Sequence, residues 1–195
     1  MFHFSSSCLS RKQVKLLAEA ATYLVPLFDV NTGYGLDDYS GNSRDPSAYG
    51  SFTLDTSSPR YTAAVKFSGN ASKYVVLGSC VRYIQFGFTM SVRFKTNVSG
   101  TAQVLLDNGY SSPYGIRLLI GSSNEIRVNY GNGTTTHSFN GPTIETDTWY
   151  MFTVTWNGST IKLYLNGVLE YEEAYTTPVV ASSSSLPLIV GKASY

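Results

Sequence analysis

Residues 149–175, WYMFTVTWNGSTIKLYLNGVLEYEEAY, constrain the fold more than any other part of the chain. Ile161, Leu163 and Leu165 alternate with Lys162 and Tyr164, the period of a strand that buries one face. Asn157-Gly158 and Asn166-Gly167 stand between the apolar runs, and Asn-Gly favours a two-residue hairpin turn because both residues accept positive φ. The pattern predicts strands over 149–156, 160–165 and 168–175, joined as an antiparallel meander. Just before it, Glu145 and Asp147 stand a residue apart, followed by Trp149 and Tyr150. That arrangement raises the question of a carboxylate pair with a stacking aromatic.

The same reading extends toward the N-terminus. Short β-rich runs at 61–67, 74–77, 86–95, 102–106, 114–120, 125–130 and 134–139, with 186–190 after the meander, are separated by turn residues. Regular spacing of this kind predicts an all-β two-sheet antiparallel sandwich. In 86–94, Phe86, Phe88, Met90, Val92 and Phe94 are expected on one face. Residues 23–30 read as an apolar strand that Pro26 confines to an edge or a bulge, and the following thirty or so residues read as one long loop. Val14, Leu17 and Ala18 recur at helical spacing behind a candidate N-cap, Ser10, so 10–21 is expected to be the only substantial helix. A chain of 195 residues, 43% of them hydrophobic, is long enough to bury a core as one domain. It is expected to comprise an N-terminal strand and helix over 1–22 and the sandwich over 23–195.

Fourteen basic against thirteen acidic residues give a formal charge of +1, which provides no footprint for nucleic acid or an anionic membrane. No apolar run approaches the roughly 20 residues needed to cross a bilayer as a helix. The opening MFHFSSSCLSRKQVKLLAEAA lacks the basic, apolar and cleavage regions of a secretory leader, so export by that route is not expected. Cys8 and Cys80 are read as reduced, buried thiols, with a single bridge as the alternative.

Several segments together resemble the laminin G-like, or concanavalin A-like, jelly-roll domains of bacterial surface and phage structural proteins. AVKFSGNASKYVVLGS (64–79), FGFTMSVRFKT (86–96), WYMFTVTWNGSTIKLYLNG (149–167) and LIVG (188–191) carry the resemblance, and DDYSGNSRDP (37–46) is similar to a loop near the start of such domains. The resemblance implies a jelly-roll fold. Family members usually continue past the LIVG strand into one more strand and a short helix, whereas here the opening FHF, CLS and RKQVKLL look like that missing tail. The expectation is a circularly permuted sandwich in which residues 2–4 supply the last strand, or one that lends this strand to a neighbouring subunit. A start that is merely similar by chance is the third alternative.

The glycoside hydrolases of this jelly roll place three carboxylates on one strand as E-x-D-x-x-E. Here Tyr150 stands where the third would be, and the run precedes a strand instead of lying within one. No catalytic residues are therefore assigned, and Asp147 is read as a turn residue. His3 and His137, the only histidines, are expected to face solvent or a neighbouring strand. No cofactor is required. Laminin G-like domains often carry calcium, and Asp37, Asp38, Asn42 and Asp45 offer the oxygen ligands a hard cation takes.

For a ligand, Tyr110, Tyr114, Arg117, Arg127, Asn129, Tyr130 and Asn132 combine aromatic faces with amide and guanidinium groups, the chemistry that meets sugar rings or protein surfaces. The expected function is a non-catalytic structural or adhesive virion protein, such as a head decoration, fibre or tail-associated component, acting as a homo-oligomer with virion proteins or glycans as partners. The alternative is a secreted, extracellular carbohydrate-binding module.

Overall fold

The computed structural model describes residues 28–31, 35–38, 47–50, 53–55, 64–67, 72–77, 81–181 and 187–193. Among the described residues, fifteen strands and one 3-10 helix run in the order β1 (Phe28–Asn31), β2 (Gly35–Asp38), β3 (Ser47–Tyr49), β4 (Thr53–Asp55), β5 (Ala64–Lys66), β6 (Tyr74–Val76) and η1 (Val81–Phe86). There follow β7 (Phe88–Phe94), β8 (Gln103–Ser111), β9 (Tyr114–Ile120), β10 (Glu125–Gly131), β11 (Thr136–Thr143), β12 (Tyr150–Trp156), β13 (Thr160–Leu165), β14 (Val168–Ala174) and β15 (Leu188–Val190). All pairing is antiparallel. Among the described residues, one sheet has seven strands in the order β11-β10-β9-β8-β15-β6-β3, and the other has four in the order β14-β13-β12-β7. β1-β2 and β4-β5 form separate hairpins.

Alternation explains how the two sheets close on each other. From the larger sheet, Ile116, Leu118, Ile120, Ile126, Val128 and Tyr130 are inaccessible to solvent. From the smaller sheet, Met90, Phe94, Phe152, Val154, Trp156, Ile161, Leu163 and Leu165 meet them. On each strand these residues fall two apart, with Val92 filling the step between Met90 and Phe94, and the residues between them face away, as a pleated strand requires. Trp156 adds a polar anchor: its Nε1–H donates to the Tyr175 carbonyl at 2.7 Å, which satisfies the one donor a buried indole carries.

The meander is β12-β13-β14, and β9 and β13 occupy the residues the sequence pattern assigns to them. The two Asn-Gly turns are built differently. Asn166 and Gly167 both have positive φ, 52° and 86°, within a two-residue loop closed by the Leu165–Val168 pair. In the other turn only Gly158 of the dipeptide is positive, at 91°, and the loop shifts on by one residue. Asn157 Oδ1 accepts the N–H groups of Ser159 and Thr160, so the asparagine caps the turn from outside its centre.

Three expectations change. The long loop after residue 30 contains β2, β3 and β4, strands of three or four residues, too short to show an alternation. Phe86 is not on the inward face of β7: it ends η1, is 79% exposed, and is followed by Gly87 at φ 111°, which breaks the strand's period. The strand expected at 102–106 continues to Ser111, through a bulge at Asn108-Gly109 that reads locally as a turn. The N-terminal helix, the strand at 2–4, Pro26, His3, Cys8 and Cys80 lie outside the described residues.

Candidate functional site

The antiparallel register sets a row of polar side chains across the outward face of the larger sheet. Asp107 on β8 pairs with Arg117 on β9, Arg117 with Asn129 on β10, and Asn129 with Ser138 on β11. The next row runs from Leu119 through Arg127 to Asn140. The opposite faces of these strands hold the core; within the rows Asp107 and Leu119 are themselves buried, whereas Arg117, Arg127 and Asn129 are half-buried and Ser138 and Asn140 are exposed.

The two arginines are held in different ways. Asp107 is fully buried; its Oδ2 accepts Arg117 Nε at 2.6 Å and its Oδ1 accepts the Tyr110 N–H at 2.9 Å. The Arg117 guanidinium lies 4.8 Å from the centre of the Tyr110 ring and donates to the Tyr110 carbonyl at 3.3 Å. Salt bridge, ring stacking and backbone contact leave only 18% of this side chain exposed, so the group is a structural clamp over the β8 bulge. Gly109 and Gly115 make the bulge possible: a Cβ at Gly115 would stand 2.3 Å from the Gly109 carbonyl oxygen.

Arg127 is more open. Its Nε donates to Asn140 Oδ1 at 2.9 Å and its Nη2 to Glu125 Oε1, while about a third of the side chain, 34%, remains exposed. The Glu125 carboxyl is held below the ordinary carboxylate range, first by its own backbone N–H, then, against the counter-pull of burial, by Arg127 and the Ser123 N–H. Gly121 leaves the space the Glu125 carboxylate occupies, since a Cβ there would meet Oε1 at 2.0 Å. On the same face, Ser138 Oγ donates to Asn129 Oδ1 at 2.8 Å. Among the described residues, no partner engages the side-chain N–H₂ groups of Asn129 and Asn140. The result is a set of amide and guanidinium donors on β10 and β11, each oriented by a bond to its neighbour.

Of the seven residues expected to form a ligand site, Tyr110, Arg117, Arg127 and Asn129 are brought to this face or its margin. Tyr130 is a correction: it points into the core with no exposed surface, stacked on His137 at 5.1 Å and edge-on to Tyr175 at 4.8 Å. Burial raises its hydroxyl pKa well above that of a free tyrosine. Asn132 is half-buried in the turn after β10, where its Oδ1 accepts the N–H groups of Thr134 and Thr135. Tyr114 sits half-buried with its ring edge beside Gly133, at the end of the sheet away from Arg127.

Glu125, Ser138 and Asn140 belong to the face and were not expected there. For Ser138 and Asn140 the signal is the alternation around Phe139, which sends its two neighbours outward together. Asn42 and Asp45 lie outside the described residues, as do the side chains of Asp37 and Asp38 on β2.

The carboxylates before the meander have the geometry of a turn. Glu145 and Asp147 are exposed, Asp147 has φ 57°, and its N–H donates to the Thr96 carbonyl at 2.7 Å. Trp149 is half-buried on the outward side of the smaller sheet, with Arg93 and Lys95 5.2 and 5.4 Å from its ring centre. It therefore packs outside the sandwich, whereas Trp156 packs inside it.

Residues 68–195 match the model of the concanavalin A-like lectin/glucanase superfamily. No curated protein matches the sequence. Among solved structures, the chain is similar to the binding domain of Paraclostridial Mosquitocidal Protein 1, with a TM-score of 0.70 and 14% identity over 87% of this chain and 44% of that one. It is also similar to the binding domain of botulinum neurotoxin DC in complex with rat synaptotagmin II, with a TM-score of 0.66 and 18% identity over 85% of this chain and 43% of that one. A structure of botulinum neurotoxin type C, whose cell entry is described as dependent upon interaction with two ganglioside molecules, gives 0.63 and 19% over 85% and 42%. The chain thus spans less than half of these neighbours, and the likeness is one of fold.

Proposed function

Because this chain belongs to the concanavalin A-like lectin/glucanase superfamily, we propose that it is a non-catalytic recognition domain that binds an oxygen-rich ligand, a glycan, on the outward face of β10 and β11. The observation that carries the reading is the donor set of Arg127, Asn129 and Asn140. Its members are preoriented by Glu125, Ser138 and one another, and their free N–H groups suit the hydroxyl and carboxylate oxygens of sugars. The carboxylates argue against hydrolysis. A glycosidase acid needs a raised pKa, whereas that of Glu125, the carboxyl beside this donor set, is lowered. The neighbouring toxin structures, one a binding domain in complex with rat synaptotagmin II and one of a toxin whose cell entry depends upon interaction with two ganglioside molecules, agree with a binding role.

A glycan array followed by calorimetry tests the proposal. We expect Arg127→Ala combined with Asn129→Ala to weaken a hit at least tenfold while circular dichroism still reports a folded β domain; the thermal midpoint should fall, because the buried Glu125 carboxylate loses its ion-pair partner. Undiminished binding by the double variant overturns the assignment.

A protein partner is the second reading. It is favoured by Met151 and Leu169, which are 37% and 45% exposed on the outward face of the smaller sheet, the side on which Trp149 packs. We further propose a virion as the setting, where such a domain would serve adhesion. Co-sedimentation with particles checks that placement.

A further inference from the structure

β8 to β11 carry four charged side chains, Asp107, Arg117, Glu125 and Arg127, besides His137, which stacks inward on Tyr130. Two are anions and two are cations, and each cation is bonded to an anion: Arg117 to Asp107 at 2.6 Å, and Arg127 to Glu125. The outward face of these strands is therefore rich in donors and carries no net charge of its own. Glu125 is 7% exposed and lies behind Arg127, whose side chain is 34% exposed, so a ligand meets the guanidinium first. Held below the ordinary carboxylate range, Glu125 is anionic at neutral pH.

The open groups form a small rectangle. Arg127 pairs with Asn140, and Asn129 with Ser138, across β10 and β11. Neighbouring strands lie about 5 Å apart and alternate residues on one strand about 7 Å apart, so the four side chains span the footprint of about one sugar ring. What they offer outward are N–H donors: the two asparagine amides and Arg127 Nη1, which has no partner among the described residues. An incoming carboxylate or sulfate gives up strong hydration and finds the attraction of Arg127 offset by Glu125 behind it. An uncharged hydroxyl or acetamido oxygen has far less hydration to lose and needs only the donors.

We propose that Glu125 determines which glycans this face accepts: by cancelling the charge of Arg127, it restricts the site to uncharged sugars and excludes those that bear a carboxylate or a sulfate. The inference rests on the glycan reading above and narrows it. Arg127 then serves as a hydrogen-bond donor and not as a counter-ion. Replacing Glu125 by an uncharged side chain of the same shape turns it into a counter-ion.

An array of neutral oligosaccharides, printed beside the same oligosaccharides capped with sialic acid, glucuronic acid or sulfate, tests this on the full chain, with calorimetry on the hits. Neutral members are expected to bind at least about fivefold more tightly than their capped counterparts, with a Kd that changes less than about twofold between about 50 and 500 mM NaCl, because no ion pair forms with the ligand. In Glu125→Gln the ratio of capped to neutral affinity is expected to rise at least about fivefold, and binding of the capped forms to weaken with salt. A purely structural role for Glu125 would weaken both classes alike and leave the ratio where it was. A preference for capped sugars in the unaltered chain, a larger salt dependence, or a smaller change of ratio in Glu125→Gln overturns the proposal while the glycan reading stands. Binding to neither class, or binding that the Arg127→Ala, Asn129→Ala variant leaves undiminished, removes the glycan reading and this inference with it. Circular dichroism shows whether Glu125→Gln folds, and if it does not, the class preference and salt dependence of the unaltered chain decide alone.

Discussion

Glu125 shows how much one side chain organises on the outward face. Its carboxylate accepts the Ser123 N–H at 3.1 Å and holds Arg127, which in turn fixes Asn140. Its folded pKa lies below its unfolded value, so its contribution to stability is complete above the unfolded pKa of about 4.3 and is lost as pH falls through the folded one. Glu125→Gln should therefore be less stable than the unaltered chain at pH 7, and the two denaturation midpoints should converge as pH drops below about 4. Urea titrations between pH 7 and 3 give both midpoints, and a gap that stays constant would mean that the carboxylate's charge contributes nothing. At this scale part of the site was legible and part was misread. Asn129 and Tyr130 are consecutive in a strand, so they cannot share a face, and the parity that sends Arg127 and Asn129 outward sends Tyr130 into the core. The clamp on Arg117 was not legible, because Asp107 lies ten residues away across a bulge.

At the scale of elements, strong alternation bounded by Asn-Gly defined β12, β13 and β14, and an apolar run bounded by turn residues defined β9. Elements of three or four residues, such as β3 and β4, offer no periodicity, and pairing with distant strands decides whether they form. The β8–β9 hairpin depends on two glycines meeting across it. Gly115 has φ 70°, and a methyl group there would meet the Gly109 carbonyl oxygen at 2.3 Å. Gly115→Ala combines a left-handed backbone with an overpacked contact, so a loss of about 2–4 kcal/mol is expected from urea unfolding. A loss below about 0.5 kcal/mol, within the range of neutral surface changes, would show that the bulge relaxes freely.

Across the whole molecule, the sheet order is the part that periodicity could not supply. β15 inserts between β8 and β6, which joins residues near the C-terminus to strands more than eighty residues earlier. The Asn-Gly steps that fix its turns also have a consequence in time. There are five of them, and Asn-Gly is the step at which a side-chain amide most readily cyclises onto the next backbone nitrogen, since glycine offers no obstruction. Asn108 is buried, Asn132 and Asn157 are each held by more than one donor, and Asn140 lies within a strand. Asn166 is exposed in its two-residue turn, with its side-chain oxygen held only by the Met151 N–H at 2.9 Å. Stored at mildly alkaline pH, the protein should gain one mass unit first in the peptide containing residues 166–167, and peptide mapping that finds another Asn-Gly step changing earlier would refute this order. Rearrangement to isoaspartate lengthens the backbone of the turn that sets β14 against β13, so the step that fixes the register of the meander is also where chemical ageing of the domain begins.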